Sequence, residues 1–123
     1  MKKLTSLLMG LFLLAAGPAF VKPASADFLD ADMLRLYCAS QNAQDDAVCI
    51  VYITGAFDAF TTSDLIAQKA NGSQAQFCVP DETGPDQLKE TVLQYMARPE
   101  TNLDFAATLV ILGAITDAYG CDK

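Results

Sequence analysis

The chain has 123 residues, with eight Lys or Arg against fifteen Asp or Glu, no histidine, and a formal net charge of −7. An acidic surface repels phosphate backbones and anionic lipid, so nucleic-acid binding and membrane-surface roles are disfavoured. Without histidine, the usual general base and the usual Ser-His-Asp arrangement are missing.

The N-terminus carries Lys2 and Lys3, an apolar run from Leu7 to Ala16, then Gly17-Pro18 and the small-residue stretch Ala24-Ser25-Ala26. This is the three-part pattern of a secretory signal peptide, expected to be cleaved after Ala26. The apolar run falls short of the ~20 residues that cross a bilayer. No cysteine follows it to carry a lipid anchor. Residues 1–26 are therefore expected to be removed, and residues 27–123 to form one periplasmic domain with no membrane attachment. Lys2, Lys3 and Lys22 leave with the signal, so five basic and fifteen acidic residues remain and the net charge falls to −10.

The spacing predicts a first helix from Phe28 to about Gln41, with Leu29, Met33, Leu36 and Tyr37 recurring on one side and Leu34 on the flank. Asp27 and Asp30 are available to cap it. A second helix is expected from near Asp45 to about Ala70, where Val48, Val51, Tyr52, Gly55, Ala59 and Ile66 form one stripe. Asn71-Gly72-Ser73 is a natural stop, because glycine tolerates the left-handed conformation that follows a helix. Phe77-Cys78-Val79-Pro80 reads as extended, since Pro80 biases Val79 away from helix. Thr83 is expected to cap a third helix with Pro85 in its first turn and Leu88, Val92, Tyr95 and Met96 facing inward. Thr101-Asn102-Leu103-Asp104 opens a fourth helix, whose run from Phe105 to Ile115 is too continuously apolar for a surface helix and is therefore central. Gly120 ends it beside Cys121. The fold class is all-α, a small four-helix bundle.

Four cysteines, Cys38, Cys49, Cys78 and Cys121, in an exported domain of this size imply two disulfides. With no histidine and no C-x-x-C pair, neither a zinc site nor a redox centre is expected. Three pairings are open. If consecutive helices are antiparallel neighbours, Cys38 and Cys49 share one end of the bundle while Cys78 and Cys121 share the other, which favours Cys38–Cys49 with Cys78–Cys121.

No catalytic constellation, metal site or cofactor motif stands out, and an enzyme is not expected. Serines 40, 63 and 73 lack a nucleophile-elbow context. Asp45-Asp46 and Asp81-Glu82 lie in polar connections. In the cluster around Tyr52, Gly55 and Asp58 a structural role is expected. Gly55 would let another helix approach, Tyr52 would pack over it, and Asp58 would accept a hydrogen bond at the core's edge. A glycine inside a helix costs about 1 kcal/mol relative to alanine, so close packing is the natural compensation.

The run Cys49-x-x-Tyr52-x-x-Gly55-x-x-Asp58, followed by Phe77-Cys78-Val79-Pro80, Thr83, Gln87-Leu88, Val92, Tyr95-Met96 and Pro99, resembles the Rap1a/Tai-type immunity proteins of type VI secretion. The resemblance covers essentially all of residues 27–123, and Pro80 belongs to its most specific element. It implies a periplasmic protein that binds and blocks a cell-wall-degrading amidase effector. The negative charge suits a basic partner of that kind, and a homodimer is compatible with the same composition. The alternative expectation is an acid-stress chaperone of the small helical HdeA type, or another periplasmic binding protein. Neutralisation of its carboxylates near pH 3–4 would expose an apolar client surface.

Overall fold

The computed structural model describes residues 29–121, which form four helices: α1 Ala31–Ala39, α2 Ala43–Asn71, α3 Pro85–Met96 and α4 Ala107–Tyr119. The fold is an all-α bundle. The signal-peptide reading of residues 1–26 lies outside the described residues.

Local chemistry sets most of the helix ends. Asp30 caps α1, its carboxylate accepting from the Met33 N–H at 2.7 Å. The Asn42 side chain accepts from the Gln44 N–H and starts α2 two residues before Asp45. Gly72, at φ 69° and ψ 22°, closes α2 in the left-handed conformation, where a Cβ would be strained.

The two later helices begin differently from expectation. Thr83 caps nothing: Gly84 is the N-cap of α3, with no side-chain cap, and the Thr83 hydroxyl is buried without a hydrogen-bond partner. The fourth helix starts at Ala107, so Asn102 instead folds its own loop, accepting from the Asp104 N–H at 2.9 Å. The α4 start is held by backbone pairing rather than by a side chain. Ala107 donates to the Leu29 carbonyl at 2.9 Å, and Ala31 donates to Phe105. An isolated antiparallel bridge between Asp30 and Ala106 results. A second bridge, Phe77 with Gly120, holds the other end of α4, through Cys78 N–H to Tyr119 and Cys121 N–H to Gln76.

Two disulfides close the bundle, Cys38–Cys49 with Cα atoms 5.0 Å apart and Cys78–Cys121 with Cα atoms 4.9 Å apart. They close loops of 11 and 43 residues. On the chain-entropy account these are worth about 3 and 4 kcal/mol respectively, a large fraction of the stability of a domain this small.

The core gathers Ala31 and Leu34 of α1, Cys49 and Ile53 of α2, Val92 and Met96 of α3, and Ala107, Ile111 and Ile115 of α4. The centrality expected of the fourth helix is found, since five of its residues are buried. Helix α1 turns differently from the reading of its pattern: Leu34 is fully buried while Met33 and Leu36 are half exposed. Nine residues cannot hide a broad apolar stripe against three neighbours at once, so Ala31, Leu34 and Cys38 are its buried residues, with Leu29 and Tyr37 packed against the core beside them.

Candidate protein-binding surfaces

Helix α2 is the element whose orientation matters most. Its inward face presents Cys49 and Ile53, both fully buried, then Phe57 and Phe60 packed against the core, then buried Asp64. The stripe expected from the sequence, apart from Tyr52, lies on the opposite side. Val48, Val51 and Ile66 are 45%, 68% and 61% exposed, and Gly55, Asp58 and Ala59 are exposed beside them. Between Ala47 and Ile66 the exposed positions carry a single charge, Asp58.

This placement corrects the role given to Gly55. Among the described residues a Cβ built there would meet nothing within 4 Å, so no other described helix approaches it, and Asp58 is exposed instead of standing at the core's edge. Tyr52 is half-buried against the core. The glycine that does permit a close approach is Gly113, where a Cβ would sit 2.8 Å from the Tyr95 hydroxyl. Pro80 is exposed; its carbonyl accepts from the Thr83 N–H at 3.0 Å in the turn before α3.

Two polar residues anchor the surface from below. Asp64 accepts from the Gln76 N–H at 3.0 Å and from Gln68 at 3.2 Å, tying the segment before Phe77 back onto α2; its other oxygen is buried without a hydrogen-bond partner among the described residues. Lys89 on α3 pairs with Asp46 at the start of α2. Neither Asp64 nor Gly113 carries a local sequence signal. A lone acid in a helix is usually solvated, and only the three-dimensional packing brings Gln76 to it.

A second exposed surface lies where α3 turns into α4. Phe105 and Leu109, 52% and 55% exposed, form a ridge between two shallow hollows. Glu100 and Asp104 are exposed along its rim. The base of the ridge is braced by Arg98, whose guanidinium donates to Asp117 at 2.5 Å and lies 4.9 Å above the Tyr95 ring. The hydrogen bond to Asp117 raises the Arg98 pKa above its already high ordinary value, so this brace stays charged at physiological pH. Among the described residues no group of acidic or cysteine side chains has the geometry of a metal site.

A family model described as Rap1a immunity proteins matches residues 26–121. The chain belongs to this family. No curated protein and no solved structure matches it. The match spans all four helices and both disulfides, so the Rap1a assignment covers the folded domain as a whole. The name of the family is that of proteins that act on a partner protein, and the exposed surfaces of this Rap1a domain are where such a partner would meet it.

Proposed function

We propose that this Rap1a domain is a periplasmic immunity protein of type VI secretion. In this reading, residues 1–26 are a cleaved signal and residues 27–123 are the mature domain, which acts by binding rather than by catalysis. Its partner is a cell-wall-degrading effector of the peptidoglycan amidase kind. The observation that carries the reading is the family match across the whole disulfide-closed bundle. Two cross-links and a packed core give a rigid surface, and rigidity lowers the entropy lost on association. Blocking an active site needs only such a surface.

The effector-facing surface in this proposal is the Phe105–Leu109 ridge. It combines an exposed apolar crest with an acidic rim of Glu100 and Asp104, the arrangement that suits an anchor residue and a basic partner. With fifteen acidic residues against five basic ones after signal removal, the domain would steer a basic hydrolase into encounter.

The test is capture of secreted proteins by the oxidised protein at neutral pH, followed by stopped-flow association with whatever amidase is captured. One tight partner is expected, with an association rate that falls as salt rises. Phe105→Ala should weaken the complex by ~2 kcal/mol or more, as for a central anchor. Capture of many unrelated proteins, and only at low pH, would replace the immunity reading with a chaperone.

A further inference from the structure

The hollow between α2, α4 and the segment before α3 holds a carboxylate that the folded chain only half uses. Asp64 of α2 is 7% exposed, the buried charged residue among those described. Its Oδ2 accepts from the Gln76 N–H and from the Gln68 amide, while Oδ1 is buried with no partner among the described residues. A buried polar atom left unpaired is costly, and in native proteins it marks a place for a further donor.

The space beside Asp64 measures about 210 Å³. Its apolar walls include Phe60 of α2, Leu112 of α4 and Phe77, and its rim includes the exposed residues Ser63 and Gln76. None of the described residues lining it is cationic.

We infer that this hollow is a binding site for a primary ammonium on an alkyl stem, the group that a lysine side chain of a partner protein presents. The methylene stem lies against Phe60, Phe77 and Leu112, as such stems do on apolar surface. The charged head meets Asp64 at the floor. An ammonium suits the site better than a guanidinium. The guanidinium fork is made for two free carboxylate oxygens, and Oδ2 is already occupied by two donors. A compact ammonium needs one oxygen from Asp64 and has donors left for the Ser63 hydroxyl and the Gln76 side chain.

Entry to the floor is through Gln68, whose neutral amide lies 3.2 Å from Oδ2. A hydrogen bond between two charged groups is roughly twice as strong as a neutral one, so the flexible Gln68 side chain gives way to the ammonium. Phe60 and Leu112 also line one of the hollows beside the Phe105–Leu109 ridge. One partner can therefore cover the ridge and place a lysine on Asp64. The identity of that partner rests on the effector reading, whereas the ammonium site does not.

The test is titration of the oxidised protein, produced by export of the full chain, with n-butylammonium chloride at neutral pH and constant ionic strength. Amide NMR follows the Gln76 N–H, which donates to Asp64. A saturable shift with a dissociation constant in the millimolar range is expected, and n-butanol should not reproduce it. Asp64→Asn keeps an acceptor for the Gln76 N–H and should raise the dissociation constant at least about tenfold. Gln68→Lys places an ammonium one helical turn from Asp64, in the favoured order of acid before base. It should raise the melting temperature and block the probe, which keeps the test decisive if Asp64→Asn folds poorly. A Gln76 shift that never saturates overturns the inference. So does equal binding of n-butanol, or probe binding that Gln68→Lys leaves unchanged. Tighter binding of n-propylguanidinium overturns the choice of lysine. No effector enters this titration, so its failure leaves the effector reading standing, and the reverse holds too.

Discussion

The two sides of α2 have similar residues and opposite fates. Inward, Cys49 and Ile53 are sealed from solvent, and Asp64 is buried with them. Outward, Val48, Val51, Leu65 and Ile66 remain 45% to 68% exposed. A 29-residue helix is about 43 Å long, whereas α3 and α4, with 12 and 13 residues, are less than half that length. The shorter helices can cover one side of it only. The comparison teaches that an apolar residue on this helix reports burial only once its side is known, and that the uncovered side is available for a partner.

The contrast can be broken most forcefully at Ile53. Ile53→Ala should cost about 2–5 kcal/mol in chemical denaturation, because the atoms lost leave a cavity at a position fully sealed from solvent. A cost below ~1 kcal/mol would mean that the inward side is not sealed. A smaller effect is expected at Asp64, where Asp64→Ala strands the Gln76 N–H. The loss should be about 1–3 kcal/mol, accompanied by faster hydrogen exchange of the Gln76 amide. The smallest effect has the opposite sign. Gly55→Ala should stabilise by about 0.5–1 kcal/mol, since alanine is the better helix former and meets no described neighbour. Destabilisation there would show that the monomer itself covers Gly55.

Much of the architecture was legible locally. Gly72 and Gly120 mark helix ends, and Pro85 marks the first turn of α3, because backbone conformations and missing amides act within a few residues. The inward trio of α3, Leu88, Val92 and Met96, follows from spacing because that helix has one apolar side. The same reasoning misplaced α2. Apolar residues surround that helix, so its periodicity selects no face, and the stripe through Gly55 carries the spacing of an interior contact while Gly55 itself faces solvent. Thr83 and Thr101-Asn102-Leu103-Asp104 look like capping sequences. At Thr83 the N-cap position falls one residue later, at Gly84. At the fourth helix the segment leading into α1, pairing through Leu29 and Ala31, supplies the contacts that set Ala107 as the first helical residue.

The sequence by itself determined that the chain forms four helices closed by two disulfides around one small core, because turn chemistry, apolar spacing and an even number of cysteines are properties of short segments. The tertiary structure alone decided which side of α2 is buried, that Gly113 rather than Gly55 receives a neighbour, and that Asp64 holds the loop at Gln76. Those outcomes depend on the relative lengths and positions of elements distant in the chain, and a helix apolar on every side carries no instruction about which neighbour will cover it.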